Sequence, residues 1–369
     1  MTRSLADGRL LRSSVLGVGP YVPGASARET RARLGRDDLI RLNWNENLFG
    51  PLAGVLDETA AALDSVWAYA EEAYEELRQA IAAWAGADPA QVIPGHGIQA
   101  LTLALVSAFV EPGDRVVIPR PTYGLYAQAC AVAGAQVHRI DTPPSLAFDL
   151  EAIAALAAKV DAKLAWVCDP NNPTGLRLAT AEWEAFLDAL PDGCLAIADE
   201  AYVDYIEPAQ RIDRLADIRA GRPVIVMRTF SKIFGLAGLR LGYILAHESL
   251  APHINAVQEP FNVNRAALAA GVASLRRVQL LPARRQQVAD ARRALVQGLG
   301  GSQVRALPSD ANFVLLDLGC DDLAVSDALA REGILVRAGT EFGLPGWARV
   351  TTGEESLMMR VGARLAELV

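Results

Sequence analysis

The sequence predicts an α/β fold: a large domain with a mainly parallel sheet between helices, a smaller α+β C-terminal domain, and an N-terminal arm. Three observations carry this. Between about residues 92 and 227, short apolar runs alternate with helical segments, as in strands joined by crossover helices. Glycine and polar clusters follow several of those runs, where a parallel α/β sheet opens its ligand crevice. After about residue 247 the alternation gives way to an Arg- and Gln-rich helical stretch followed by short strands.

The elements follow in order. Residues 1–44 read as the arm, broken by Gly17, Gly19, Pro20, Pro23 and Gly24, with a short helix over 27–34. The large domain is expected over 45–262. Its Ala-rich stretch 52–85 has helical spacing, and Pro94-Gly95-His96-Gly97 opens an apolar helix over 98–109. Strands are expected at 116–119, 136–140, 164–168, 194–198 and 224–227. Helices at 123–133, 150–160 and 181–189 separate four of these runs. The small domain, 263–369, starts with a helical region over about 264–298. Strands at 312–317, 334–337 and 348–352 and a last helix over 354–367 complete it.

With 51% hydrophobic and 21% charged residues, the 369-residue chain reads as a soluble globular protein. A net charge of −8 and the lack of a basic run argue against nucleic acid or an anionic membrane as partner. Cys130, Cys168, Cys194 and Cys320 lack metal-type spacing, and the four histidines form no ligand pair, so no metal is expected. Reduced thiols suit the cytoplasm. The first twenty residues do not resemble a secretory signal, and no apolar run reaches membrane-spanning length.

Lysine usage singles out one residue. Of 35 Lys plus Arg, three are lysines: Lys159, Lys163 and Lys232. The first two flank a charged helix end. Lys232 sits in the small, apolar stretch Thr229-Phe230-Ser231-Lys232-Ile233-Phe234-Gly235. A desolvated lysine can lose its proton and attack a carbonyl, which arginine cannot do. Lys232 is therefore a candidate Schiff-base former.

An aldehyde cofactor such as pyridoxal 5'-phosphate makes three further demands: a buried carboxylate at the ring nitrogen, a phosphate cradle, and a flat face for the ring. Asp199 ends an apolar run, and Tyr202 and Asn172 lie within reach of the ring oxygen in such a scheme. Ser231, Arg240 and the helix-start amides of Gly97, Ile98 and Gln99 suit the phosphate, and Tyr123 the ring face. Each segment alone has an ordinary explanation: Asn-Pro-Thr-Gly is a turn, an Asp after a strand is often a cap, and Tyr123 is packing. Their joint occurrence at strand ends favours one cleft.

Taken together, Asn172-Pro173-Thr174-Gly175, Asp199-Glu200-Ala201-Tyr202, Ser231-Lys232 with Arg240, and Arg349-Val350-Thr351 resemble the fold-type I PLP-dependent aminotransferases of class I/II. Gly19-Pro20-Tyr21-Val22-Pro23-Gly24 and Asn45-Glu46-Asn47-Leu48-Phe49-Gly50 are similar to the start of histidinol-phosphate aminotransferases. The resemblance runs from about residue 19 to 367. It implies a seven-stranded sheet, a homodimer with shared active sites, and ping-pong transfer from an amino donor, histidinol phosphate favoured, to 2-oxoglutarate. It makes Lys232 the Schiff-base lysine and proton shuttle, Asp199 the pyridinium partner, and Tyr202 and Asn172 the holders of the ring oxygen. Tyr69 would reach the neighbouring subunit's cofactor. Arg349 would clamp the substrate carboxylate, with Asn47 supporting it and Tyr21 and Arg337 near the distal group. Aromatic amino acid transamination, a threonine-phosphate decarboxylase-like lyase and a non-catalytic PLP-binding domain are the alternatives. The chain departs from the family pattern at Trp44, Leu48, Ala70, His96, Gln99 and Ala100, which bears on the substrate more than on the core chemistry.

Overall fold

The computed structural model describes residues 11–19, 27–70 and 73–369. Tyr21 and the rest of the Tyr-Val-Pro-Gly segment lie outside the described residues. A short strand β1 (Ile40–Arg41) precedes the large sheet. That sheet comprises β2 (Val92–Gly95), β3 (Arg115–Arg120), β4 (Gln136–Asp141), β5 (Leu164–Cys168), β6 (Leu195–Asp199), β7 (Val224–Thr229) and β8 (Gly242–Leu245). Their order is β2-β8-β7-β6-β5-β3-β4, and β8 alone runs antiparallel to its neighbours.

Both faces of the central strands β5, β6 and β7 are buried, which is why they read as nearly continuous apolar runs, whereas the edge strand β4 is partly exposed. Period-2 alternation still sorts them. Ala165, Val167, Ala196, Ala198, Val224 and Val226 face a core shared with Ile153, Trp183 and Phe186. Leu164, Trp166, Leu195, Ile197, Ile225 and Met227 face the other layer with Leu101, Leu105 and Tyr126. Small residues on the first face let the helices Leu150–Val160 and Thr180–Ala189 approach closely.

The small domain holds β9 (Arg305–Ala306), β10 (Phe313–Asp317), β11 (Ile334–Leu335), β12 (Arg337–Ala338) and β13 (Trp347–Thr351). Four of them form an antiparallel sheet in the order β12-β13-β10-β9. β11 instead pairs in parallel with β1, and Leu42 enters the small domain's core. The end of the arm is thereby fastened to the C-terminal part of the chain.

Several elements differ from the sequence expectation. The region 264–298 is two helices, Arg265–Leu275 and Leu281–Gly298, because a 3-10 turn intervenes and Pro282 starts the second. The first packs in the large-domain core through Ala267, Ala270 and Ala273. The stretch 52–85 is likewise split, into Val55–Ala62 and Glu75–Ala85. The expected strand 334–337 divides between two sheets. β8 follows a Gly-rich stretch and is too short for composition alone to mark it as a strand. No helix among the described residues is long and apolar enough to cross a membrane.

Candidate active site

Parallel strands β3, β5, β6 and β7 deliver their C-terminal ends to one cleft of about 880 Å³. The cleft lies where chain direction across the sheet switches, with β4 beyond β3 on one side and β6 beyond β5 on the other. Ile98, Gln99, Tyr123, Asn172, Asp199, Tyr202, Ser231, Lys232, Arg240, Arg337 and Arg349 all line it.

The Lys232 amine donates to the main-chain oxygen of Asn45 at 2.9 Å and lies 5.2 Å from the centroid of the Tyr202 ring. Burial, then the Arg349 charge, lowers its pKa from 10.5 to about 7. An appreciable fraction of this amine is therefore neutral near pH 7, as a carbonyl-directed nucleophile requires.

Asp199, 2% exposed, is raised to about 6 by burial, against the opposing hydrogen bond from the Tyr126 hydroxyl. Its other oxygen accepts from the Ala201 amide at 2.9 Å. A buried carboxylate held this way is primed for a cationic partner. Tyr126 was not singled out from sequence, although it lies three residues after Tyr123, in the first turn of the helix Leu125–Ala133. Burial raises its own pKa well above the usual phenol value, so it acts as a donor to Asp199.

The helix Gly97–Phe109 points its free amides at the cleft. Gly97 has φ +74°, and a Cβ there would come within 2.8 Å of Arg240 Nη2. Arg240 Nη2 donates to Gln99 Oε1 at 3.3 Å, and Gln99 Nε2 donates to the Tyr123 hydroxyl at 3.1 Å. Gln99 thus ties two expected cofactor-binding residues together at a position where the resembled pattern carries an acid. His96 is exposed, with Nδ1 3.2 Å from the Asn262 carbonyl oxygen.

The small domain supplies two arginines to the cleft. Arg349 on β13 donates to Asn172 Oδ1 at 2.5 Å and to the Asn43 main-chain oxygen at 2.7 Å. Arg337 on β12 is its direct cross-strand partner and pairs with Glu341 at 2.8 Å. Opposed residues of an antiparallel pair share a face, so two guanidinium groups stand side by side.

Asn47 is placed differently from the expectation. Its side-chain amide donates to the main-chain oxygens of Lys232 and Ile233 at 2.9 and 3.0 Å, so it braces the lysine loop and does not line the cleft. Asn45 takes the cleft position: its Nδ2 donates to the Tyr202 hydroxyl at 3.0 Å, and its amide donates to Thr351 Oγ1 at 3.0 Å. Tyr69 stands 78% exposed and stacks on Phe261 at 4.8 Å, away from this chain's own cleft.

Beneath the strand ends lies a charge network that sequence reading missed. Arg214 donates to Asp169 at 2.6 Å and Glu200 at 2.7 Å, and Arg228 donates to the other oxygen of Glu200 at 2.7 Å. Asp169 opens the loop that carries Asn172, and Glu200 follows Asp199. The network thereby ties together the loops after β5 and β6.

Pyridoxal 5'-phosphate fits these residues: an amine with a lowered pKa, a buried carboxylate and an anion cradle converge as its three chemical ends require. The fold and cleft are those of the PLP-dependent fold-type I aminotransferases. The family model "Aminotransferase class I and II" matches residues 37–365, and the chain belongs to that family. It is 38% identical over 344 residues to a histidinol-phosphate aminotransferase of Symbiobacterium thermophilum, covering 93% of this chain and 94% of that protein. It is 36% identical over 343 residues to one from Moorella thermoacetica, covering 93% and 88%. Among solved structures, histidinol-phosphate aminotransferase from Sinorhizobium meliloti in complex with pyridoxal-5'-phosphate is similar over 99% of this chain and 100% of that one, with TM-score 0.90 and 28% identity.

Proposed function

We propose that this aminotransferase takes the amino group of histidinol phosphate and passes it to 2-oxoglutarate in a ping-pong cycle, as a step of histidine biosynthesis. The observation that carries the reading is the cross-strand pair Arg337 and Arg349 in the same cleft as the Lys232 amine. Histidinol phosphate has a CH2–O–phosphate group where an amino acid has its carboxylate. A dianion there suits two adjacent guanidinium groups better than one. The two carboxylates of 2-oxoglutarate can use the same pair in the return half of the cycle. A second reading, an aromatic amino acid donor, is favoured by the Trp44 side chain in the cleft wall.

When bound, pyridoxal 5'-phosphate supplies the aldehyde that carries the amino group and the ring that withdraws electrons from the donor's Cα. In the proposal Arg240, Ser231 and the amides of Gly97, Ile98 and Gln99 hold its phosphate, and Tyr123 covers the ring. Asp199, steadied by Tyr126, keeps the ring nitrogen protonated, and Tyr202 and Asn172 hold the ring oxygen. Arg349 and Arg337 orient the donor so that its Cα–H points at the Lys232 amine. Lys232, whose amine is in good part neutral near pH 7, removes that proton and returns it on the other side of the transfer.

The exposed cluster of Val66, Trp67, Tyr69 and Phe261 supports a homodimer in which Tyr69 reaches the partner's cleft. The net charge of −8 is in keeping with small-molecule partners in the cytoplasm and no nucleic acid. The test is spectroscopic. The holoprotein should lose its visible cofactor band on adding histidinol phosphate and regain it with 2-oxoglutarate. Conversion by phenylalanine at an equal or greater rate would overturn the donor assignment in favour of the second reading.

A further inference from the structure

The segment Asn43-Trp44-Asn45-Glu46 runs between the two ends of the reacting site. At one end Arg349 Nη2 donates to the Asn43 oxygen at 2.7 Å, and at the other Lys232 Nζ donates to the Asn45 oxygen at 2.9 Å. A substrate stretched from the anion clamp to the amine lies alongside this segment. Asn45 has φ +56°, a left-handed conformation that asparagine tolerates, and Trp44, Asn45 and Glu46 all line the cleft. Asn312 Nδ2 fixes the segment from behind by donating to the main-chain oxygens of Asn45 and Glu46, both at 3.1 Å.

Trp44 and Glu46 are joined through Arg41. Its guanidinium carbon lies 5.2 Å from the Trp44 ring centroid, and its Nη2 donates to Glu46 Oε1 at 2.6 Å. The arginine backs the indole and orients the carboxylate. Glu46 Oε2 accepts no hydrogen bond among the described residues, although Glu46 stands in the cleft wall. The indole Nε1–H is likewise without a partner among them. A flat apolar face and a carboxylate oxygen with unused capacity therefore stand one residue apart on either side of Asn45.

Resting on the proposal that histidinol phosphate is the donor, we infer that Trp44 and Glu46 read the donor's side chain. The indole offers its face to a planar ring, and Glu46 Oε2 accepts the N–H that an imidazole carries and a phenyl ring lacks. The physical basis is the asymmetry of polar recognition. A site that hydrogen-bonds a substrate N–H rejects an analogue without it far more strongly than an apolar pocket rejects a change of size. Trp44 alone would accept any aromatic donor; Glu46 adds the choice among them. The same carboxylate could instead face the donor's ammonium, but that would weaken every donor alike, and the test separates the two.

The measurement is kcat/KM for histidinol phosphate and for its phenyl counterpart, phenylalaninol phosphate, in the wild-type holoenzyme, Glu46→Gln and Trp44→Leu. The expected result is that Glu46→Gln lowers the imidazole-to-phenyl ratio by about tenfold or more. Trp44→Leu is expected to lower both values by about threefold to tenfold, in step. Binding of the two donors to cofactor-loaded Lys232→Ala protein, with and without Glu46→Gln, gives the same ratio by calorimetry without turnover. If Glu46→Gln fails to fold, Glu46→Asp, which keeps the charge and withdraws it, should lower the ratio in the same sense. An unchanged ratio in an enzyme that turns over histidinol phosphate overturns this inference and leaves the functional proposal standing. A wild-type enzyme that does not turn over histidinol phosphate overturns the functional proposal, and this inference with it.

Discussion

Replacing Arg214 by Met should destabilise the protein in a way that depends on pH. The Arg214 side chain is 1% exposed and serves two carboxylates, Asp169 at 5% and Glu200 at 0%. Glu200 keeps Arg228 at 2.7 Å after the substitution. Asp169 keeps only the Leu178 amide at 2.9 Å and loses its cation. Even with Arg214 present, burial holds Asp169 above the usual carboxylate range. Removing one member of a buried pair costs about 3–5 kcal/mol. Asp169 can limit that cost by taking up a proton. Keeping it protonated at pH 7 costs about 1.4 kcal/mol per unit above an unfolded value near 3.9, or about 4 kcal/mol. A carboxylate whose folded pKa is raised binds more protons folded than unfolded, so the deficit grows as pH rises above about 4 and fades as it falls towards 4. With an unfolding entropy of about 0.8 kcal/mol/K for a chain of this length, 4 kcal/mol is about 5 °C in melting temperature. The assay is thermal melting of wild type, Arg214→Met and Arg214→Met/Asp169→Asn from pH 4.5 to 8. The single variant should fall progressively behind wild type as pH rises, and the double variant should recover most of the loss at pH 7. A deficit independent of pH, or no recovery by Asp169→Asn, would refute the uncompensated-carboxylate argument.

Two further outcomes follow from the site. Cofactor capture by the apoprotein should quicken about tenfold per pH unit up to about 7 and level off above it, because Lys232 is neutral above that value; a rate still climbing at pH 9, followed by the growth of cofactor absorbance, would place the amine in ordinary solvent. Gly235→Ala should lower stability by about 1–3 kcal/mol, read as melting temperature, since Gly235 has φ +72° and an added Cβ would run into the Gly50 main chain; wild-type stability would mean that the lysine loop yields freely.

The strand ends were legible because buried parallel strands announce themselves as apolar runs, and the residue after such a run has few places to go. Asp199 and Tyr202 stand out that way, whereas Lys232 is marked by the rarity of lysine in this chain. Asn45 and Asn47 were not separable from sequence: both are asparagines in one motif, and the positive φ at Asn45 decides which side each takes. Arg214 sits in a short helix, Arg214–Arg219, with no apolar run to flag it, and its partners are 14 and 45 residues away. Tyr69 is expected at a second subunit's cofactor, and in this chain it is exposed and stacks on Phe261.

Charged side chains around Lys232 set the proton affinity of its amine. After burial, Arg349 is the largest influence that lowers the amine's pKa, while Glu46 and Asp199 raise it. A substrate anion seated on Arg349 cancels the first of these and leaves the other two. The amine therefore becomes a stronger base when a substrate is in place, and is most nearly neutral when the clamp is empty. Under the proposed function, the arginine that orients the donor would also tune the group that takes its proton. Arg349 reaches both jobs because β13 aims it at the loop after β5 and at the Asn43 oxygen together. An arginine in place of Lys232 could not respond in this way, since its proton stays on at any useful pH. Under the proposed function, that difference accounts for a lysine at this position in a chain so sparing with lysine.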